Sequence, residues 1–300
     1  MLQRSIVLPP SVPVDLVATL RPLRRGRHDP CLRFAADCVW RATRTASGPA
    51  TLHLVADGDQ IHGRAWGDGA AEALDGLADL VGANDDDGGF DPDHPLVARL
   101  WRDHRGRRIA RSRAVAEALM DAVLEQRVTT FEARRARSQL IARWSDPAPG
   151  PTDLLLPPDP DRLAEVPYYD LHVLGVERKR AETLRRVAAS ARRLDAMAAL
   201  SPAEARDRLL AVTGIGPWSA AMVGLVALGD ADAVPVGDVH LPSDVTWALT
   251  GRAVDDDDAM LEALEPFAGQ RGRVIGLIAA GHLHAPARGP RYAPRDDRNA

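Results

Sequence analysis

The residues whose types and spacing suit chemistry lie between Leu209 and Asp238. The sequence Thr-Gly-Ile-Gly at 213–216 separates an apolar helix, ending near Val212, from a second helix predicted to begin at Pro217. Two glycines allow a tight turn with exposed amides, and proline at the first helical position needs no N–H partner. The free amides and the positive end of the second helix predict a site for an anion such as a phosphate. An isolated carboxylate, Asp238, follows this turn by 22 residues, which indicates chemistry on a polyanion held by the backbone.

The segment TGIGPWSA, at 213–220, resembles the hairpin of the helix-hairpin-helix DNA glycosylase superfamily, whose signature ends in Gly-x-Gly with an aspartate further along. The spacing from Trp218 to Asp238 is similar to that of the 3-methyladenine DNA glycosylase II branch, and the resemblance covers roughly residues 90 to 285. It implies that Asp238 is catalytic and that the base pocket contains Trp218 and Met222. It also implies that the hairpin binds DNA through Thr213, Gly214, Ile215 and Gly216.

A second DNA-contacting segment is implied by the same resemblance. A helix predicted over Val115–Glu125 leads into Gln126 and Arg127, and another helix follows from Phe131 to Trp144. In the family, a glutamine in this turn precedes a side chain that wedges into the gap left by an extruded base, so Arg127 stands at the wedge position. The alternative is a surface arginine that touches a phosphate. Both interpretations make Gln126 and Arg127 DNA-binding residues.

Cleavage of an N-glycosidic bond is the chemistry that such a hairpin and carboxylate would serve. The target base must first be flipped out of the duplex. Bond breaking then places positive charge on the sugar, which a carboxylate near C1′ stabilises while it orients or deprotonates the attacking water. Asp238 is the candidate, and the competing interpretation is a helix N-cap or an anchor for its loop. Asp244 is a rival carboxylate whose position is more typical of a helix start.

Trp218 and Met222 bear on the choice of base. An alkylated purine such as 3-methyladenine is cationic, and an electron-rich indole attracts it by stacking and cation–π contact. The alternative for Trp218 is an ordinary core tryptophan. Met222 stands where the family often has an aromatic residue, and the region of Gln270 lacks the aromatic residue that the family usually has near Arg271. The sequence therefore leaves open which damaged bases are substrates.

The lysine content bears on whether the enzyme also cuts the DNA strand. Glycosylases with that activity use an amine nucleophile to form a Schiff base. The chain has one lysine, Lys179, in an arginine-rich segment far in sequence from Asp238. In the lyase members of the superfamily the lysine falls in the hairpin helix, where this chain has Trp218. The sequence therefore predicts a glycosylase that uses water and has no lysine-dependent lyase activity.

The primary functional prediction is a monofunctional DNA N-glycosylase that excises alkylated purines. The alternatives are a glycosylase for a deaminated or oxidised base, and a non-catalytic protein that binds DNA through its hairpin. We expect a monomer that acts on double-stranded DNA with damaged bases, in the cytoplasm and associated with the nucleoid, without a cofactor or metal. The start of the chain lacks the apolar stretch of a signal peptide, and no apolar run is long enough to span a bilayer.

Charge and cysteine content narrow the class of protein. The net charge of −4 does not by itself indicate nucleic acid, but arginine is concentrated in three runs, at 102–113, 134–143 and 178–193. Each run is compatible with a solvated helix surface, whereas three runs beside a phosphate-type hairpin favour DNA. Cys31 and Cys38 are the only cysteines, which excludes the four-cysteine iron–sulfur cluster of some superfamily members.

The helices and strands that position these residues are predicted to form an α+β fold. Period-two patterning predicts a small antiparallel sheet domain over residues 1–90, with a hairpin turn at Asp57–Asp59 and an amphipathic helix over Ala70–Leu80. We expect this domain to pack against the rest without direct chemistry. Residues 91–285 are predicted to form a mostly helical, two-lobed glycosylase domain with the hairpin at 210–220, and residues 286–300 an irregular tail.

Capping residues predict where several helices begin. Ser112 is expected to cap the helix over Val115–Glu125, and Ser201 with Glu204 forms a capping box for the first hairpin helix. The acidic run Asp255–Asp258 is expected at the positive end of the following helix, and a last buried helix is predicted over Arg271–His284. The arginine-rich segment after Gly175 carries an apolar stripe of Leu184, Val187, Ala188, Ala191 and Leu194.

Overall fold

The computed structural model describes residues 1–7, 14–35 and 38–286. Its N-terminal part holds a five-stranded antiparallel sheet in the order β1-β5-β4-β3-β2, formed by β1 (Leu2–Val7), β2 (Leu32–Phe34), β3 (Cys38–Thr45), β4 (Gly48–Asp57) and β5 (Gln60–Trp66). Asp57 pairs with Gln60, so the predicted turn at Asp57–Asp59 is confirmed. Gly58 takes the positive φ of +61° that this tight connection requires.

Three short helices cover the inner face of the sheet: α1 (Leu16–Leu20), α2 (Ala70–Asp75) and α3 (Leu77–Leu80). The helix predicted over Ala70–Leu80 is therefore interrupted, because Gly76 ends one helix and starts the next. The buried core between helices and sheet includes Leu20, Leu52, Leu54, Ile61, Leu74 and Leu77. The alternation of apolar and polar residues along the strands explains this one-sided burial.

The remainder is helical. Seven helices precede the hairpin region: α4 (Pro95–Asp103), α5 (Val115–Glu125), α6 (Thr130–Trp144), α7 (Pro160–Glu165), α8 (Tyr168–His172), α9 (Arg178–Ala189) and α10 (Ala191–Asp195). Five more follow: α11 (Pro202–Leu210), α12 (Pro217–Val223), α13 (Leu241–Thr250), α14 (Asp257–Leu264) and α15 (Arg271–Ala280). Short 3₁₀ turns lie at Arg21–Leu23, Ala196–Ala199 and Glu265–Phe267. A π-helical turn, Gly224–Leu228, continues α12.

These helices surround two separate cores. The first includes Leu119, Leu184 and Val223, from α5, α9 and α12. The second includes Val97, Val245 and Val274, from α4, α13 and α15. The helical part is thus two-lobed, and the α+β fold class is confirmed. The chain crosses between the lobes twice, and the second crossing, between α12 and α13, contains Asp238.

Several predicted helix ends differ from the observed ones. Ser112 does not cap α5, which starts after Ala114 with no side-chain cap of its own. Instead, Asp195 at the end of α10 accepts a hydrogen bond of 2.9 Å from the amide of Ala116. The prediction of Ser112 was wrong because the capping carboxylate comes from another helix, which local spacing does not reveal. The last helix ends at Ala280 rather than His284.

Other local predictions are confirmed. Ser201 and Glu204 form the expected capping box at α11, and the stripe from Leu184 to Leu194 is buried. The stripe spans two helices, since α9 ends at Ala189 and α10 begins at Ala191. Most of the predicted tail lies outside the described residues. Within them, no helix combines the length and the apolar character needed to cross a membrane.

The three arginine runs contain both buried and exposed members. Arg137 is buried and bonds Asp29 at 2.9 Å and Asp121 at 2.7 Å. Arg180 is also buried and donates to the carbonyl oxygens of Leu124, at 3.0 Å, and Gly175, at 2.9 Å. These guanidinium groups hold elements together, so each run offers DNA fewer charges than the sequence count indicates.

Candidate active site

The hairpin between α11 and α12 depends on Gly214. Its φ is +93°, and a Cβ built there would lie 2.4 Å from Oγ1 of Thr183. Both the backbone angle and the close approach of α9 therefore require glycine. Gly216 differs, because its φ of −110° and ψ of −178° are open to any residue. A Cβ at Gly216 would meet nothing within 4 Å, so the expectation that both glycines make the turn holds for Gly214 alone.

The amide groups of the hairpin face outward. Ile215 is buried and its amide donates to the carbonyl of Val212 at 3.0 Å, which anchors the loop. Among the described residues, no acceptor receives the amides of Gly214 or Gly216. Thr213 and Gly214 are exposed, and the first turn of α12 adds further free amides. The hairpin can therefore bind an oxyanion through its backbone.

The carbonyl groups of the hairpin accept hydrogen bonds from side chains of other segments. Arg186 on α9 donates to the carbonyl of Thr213 at 2.9 Å. The side-chain amide of Gln126 donates to the carbonyl of Gly214 at 3.1 Å and to Oγ of Ser219 at 2.9 Å. Arg186 and Ser219 were not predicted as site residues, because their partners are distant in sequence. Gln126, predicted to bind DNA, uses its amide nitrogen to join the α5–α6 turn to the hairpin.

Arg127 follows directly and is exposed. Its φ of +56° lies in the left-handed region, which costs a non-glycine residue about 1–2 kcal/mol. This conformation turns the chain sharply between α5 and α6, beside the residue that is bonded to the hairpin. The structure therefore brings the predicted wedge position and the predicted phosphate site onto adjoining segments.

Asp238 is half-buried and accepts three hydrogen bonds. Its Oδ2 receives the indole Nε1–H of Trp218 at 2.9 Å. Its Oδ1 receives the amides of His240 at 2.9 Å and Leu241 at 3.0 Å, at the start of α13. The N-cap of α13 is His240, so Asp238 anchors its loop to the start of this helix and also contacts the helix that begins at the hairpin. Three donors fix the orientation of this carboxylate and complement its negative charge.

The loop before Asp238 is held from a second direction. The amide of Gly237 donates to both carboxylate oxygens of Asp257, at 3.2 Å and 3.0 Å. In the same acidic run, Asp256 caps α14 by accepting from the amide of Ala259 at 2.9 Å, as predicted for a helix start. The run therefore does more than cap a helix. Asp257 was missed as a site residue because acidic residues at a helix start carry no signal for a contact 20 residues away.

Met222 is half-buried on α12, one turn after Trp218, so both side chains lie on the same face. Asp244 accepts from Nδ1 of His284 at 2.9 Å and from the amide of Ala285 at 2.8 Å. These bonds engage both of its oxygens with the chain after α15. Lys179 is exposed in the first turn of α9.

A cavity of about 10 Å³ between α5 and α6 is lined by core residues such as Met120 and Leu140, and it does not reach Asp238 or Trp218. That volume is about the size of one water molecule, too small for a nucleobase. Among the described residues, no group of three His, Cys, Asp or Glu side chains is arranged to hold a metal ion.

Comparison with curated proteins finds a related segment. No protein-family model matches the chain. Over 140 residues, 45% of this chain, it is 34% identical to a Mycobacterium tuberculosis protein described as a probable bifunctional transcriptional activator/DNA repair enzyme AlkA. The match spans 28% of the length of that protein, so the likeness concerns one part of it.

Comparison with solved structures extends over the whole fold. The 3-methyladenine DNA glycosylase from Archaeoglobus fulgidus superposes with a TM-score of 0.74 at 17% identity, over 93% of this chain and 98% of that one. MBOgg1, solved with a low-affinity DNA ligand, superposes with a TM-score of 0.71 at 17% identity, over 92% of this chain and 93% of that one. The chain has the fold of these proteins, which is the fold that the resemblance of the hairpin to DNA glycosylases implies.

Proposed function

We propose that this chain is a monofunctional DNA N-glycosylase that releases alkylated purines from double-stranded DNA. The observation that carries the proposal is the 2.9 Å hydrogen bond between Trp218, in the first turn of the helix that begins at the hairpin, and the carboxylate of Asp238. It joins the anion-binding turn and the acidic group into one site. The similarity to a DNA repair enzyme and the shared glycosylase fold support the same assignment.

The hairpin supplies the grip on DNA. Unbonded amides at Gly214 and Gly216 bind a phosphate of the lesion strand, and this contact carries no sequence information. With the strand fixed there, the damaged nucleotide rotates out of the stack toward α12. Arg127, exposed on the adjoining turn, enters the space that the base leaves. Gln126 links the two segments, because its side-chain amide donates a hydrogen bond to the carbonyl of Gly214.

Asp238 supplies the chemistry. The bond between C1′ and the base nitrogen breaks, its electron pair leaves with the base, and positive charge develops on the sugar. The carboxylate stabilises that charge, and a water molecule adds to C1′. The proton lost by the water passes to Asp238 or to solvent. The three donors around Asp238 hold its oxygens in place, so no reorganisation is needed as the charge develops.

Trp218 and Met222 favour a cationic base. An indole face attracts an alkylated purine through cation–π contact, and a flexible thioether adapts to purines of different shape. A base that already carries positive charge is a good leaving group and needs little acid catalysis.

Base release from alkylated duplex DNA tests the proposal. Wild type, Asp238→Asn and Asp244→Asn are incubated with methylated DNA, and free 3-methyladenine and 7-methylguanine are measured by chromatography. We expect release by wild type and Asp244→Asn, and a loss of about a hundred- to ten-thousand-fold in Asp238→Asn. Release of hypoxanthine alone, when a duplex that contains deoxyinosine is assayed beside the methylated DNA, would indicate a glycosylase for deaminated bases. No release by wild type, with duplex binding retained, would indicate a non-catalytic DNA-binding protein.

A further inference from the structure

A further basic segment, at 24–28 in the N-terminal part of the chain, lies against the α5–α6 turn. This segment, Arg24-Arg25-Gly26-Arg27-His28, is called here the arginine loop. Nε of Arg25 lies 3.3 Å from Oδ2 of Asp121 and 3.7 Å from Oε1 of Glu125. Glu125 is the last residue of α5, so Arg25 is anchored immediately before Gln126 and Arg127.

The other side of the arginine loop packs on α6. Gly26 has a φ of +95°, and a Cβ built there would lie 3.1 Å from Cδ of Arg134. Asp29, which follows the loop, accepts the amide of Arg25 at 2.6 Å and Nη1 of Arg137 at 2.9 Å. The loop is therefore held at both ends and in the middle, and its position beside the α5–α6 turn is fixed.

The side chains that the loop presents to solvent are basic and unpaired. Arg27 and His28 are exposed, and neither side chain makes an ion pair or hydrogen bond with the described residues. On the neighbouring elements, Arg127, Arg134 and Arg135 are exposed as well.

The acidic groups nearby do not cancel this charge. Asp29 and Asp121 are buried and paired with arginines, and Glu125 is half-buried against Arg25. Glu132 is occupied by its capping bonds to Thr129. The exposed surface around the turn is therefore positive.

We infer that the arginine loop is a DNA-binding surface contributed by the N-terminal part, in which Arg27 and His28 contact the sugar–phosphate backbone beside the α5–α6 turn. The inference rests on the proposed function, because it assumes that Arg127 faces a duplex. The chemistry follows from the groups present: a guanidinium binds phosphate oxygens with two parallel N–H donors, and an imidazole N–H supplies another. Each phosphate contact releases counterions and makes binding more dependent on salt.

The test measures binding to a duplex that contains an abasic-site analogue, at several salt concentrations. The variants are Arg27→Ser, and Arg27→Ser combined with His28→Ser. Arg64→Ser is the matched control. Arg64 is exposed on β5 of the N-terminal sheet and forms no ion pair with the described residues. Thermal melting of each variant verifies that it folds as the wild type does.

For Arg27→Ser we expect weaker binding and a slope of log K against log salt that is shallower by about 0.9, the value for one phosphate contact. The double variant should lose at least as much, and Arg64→Ser should match wild type. A slope for both loop variants equal to that of wild type, with wild type binding normally, would overturn the inference and leave the proposed function standing. A wild-type protein that does not bind the duplex at all would overturn both.

Discussion

The indole nitrogen of Trp218 donates a hydrogen bond of 2.9 Å to Oδ2 of Asp238. From sequence, these two residues are expected to have different tasks, since Trp218 would stack on the base and Asp238 would act on the sugar. Their contact means that the edge of the indole orients the carboxylate while its face remains available to line a base pocket. Trp218 is therefore a candidate for positioning Asp238 as well as a candidate for base recognition.

Trp218→Phe separates these two roles, because phenylalanine keeps an aromatic face but has no N–H. A hydrogen bond to a charged group contributes about 1.5–3 kcal/mol, so we expect kcat for base release to fall about tenfold or more. KM should change less, since the aromatic surface is retained. Single-turnover release measures the effect, with Trp247→Phe on α13 as the control. Unchanged kcat in Trp218→Phe would mean that the hydrogen bond has no part in positioning Asp238.

Asp257→Ala removes the acceptor of the Gly237 amide and frees the loop before Asp238. We expect kcat to fall several-fold while KM and the melting temperature stay close to those of wild type, because the contact lies at the surface and orients the carboxylate proposed to be catalytic. Asp258→Ala is the matched control, as Asp258 is exposed in the same acidic run. Equal effects of the two substitutions would point to the summed charge of the run rather than to the contact with Gly237.

Gly214→Ala should destabilise the fold. The substitution forces a side chain into a left-handed conformation, which costs about 1–3 kcal/mol, and it drives the new Cβ against Thr183. Urea unfolding measures the free energy change. In a Thr183→Ala background the same substitution should cost less, since the 2.4 Å approach to Oγ1 and the 2.9 Å approach to Cγ2 are removed, while the backbone strain and a 3.3 Å contact with Cβ remain. Equal costs in both backgrounds would show that the contact with α9 does not matter.

Gly216→Asp should leave folding intact and weaken DNA binding. The backbone at Gly216 accepts any residue and the space around it is open, so the loss would reflect repulsion between the new carboxylate and a phosphate. Binding should weaken for all duplex sequences, and the salt slope should become shallower by about 0.9. Titrations with several unrelated duplexes check this. A loss confined to particular sequences would contradict a phosphate contact at the hairpin.

Borohydride trapping tests the absence of lysine-dependent strand cleavage. The one lysine, Lys179, is exposed in the first turn of α9, and the hairpin helix carries Trp218 instead. We expect no covalent adduct with damaged duplex DNA, and base release by Lys179→Ala at the wild-type rate. An adduct that disappears in Lys179→Ala would show that the lysine acts as a Schiff-base nucleophile.

Features that depend on near neighbours in the chain were predictable. The capping box of Ser201 and Glu204, the turn at Asp57–Asp59 and the start of α12 at Pro217 match the structure. Each follows from a hydrogen bond or a backbone angle set within three or four residues. The buried stripe of α9 and α10 followed from helical periodicity, which is also a local property.

The sequence by itself determined the residue types of the candidate site and the hairpin that carries them. The tertiary structure decided which partners those residues have. Asp195 rather than Ser112 caps α5, Arg137 is buried between Asp29 and Asp121, and Asp257 holds Gly237. The physical reason is that a carboxylate or a guanidinium group can pair with any group of opposite charge and suitable geometry. Which partner comes within 3 Å is set by how distant helices pack, and spacing along the chain does not encode it.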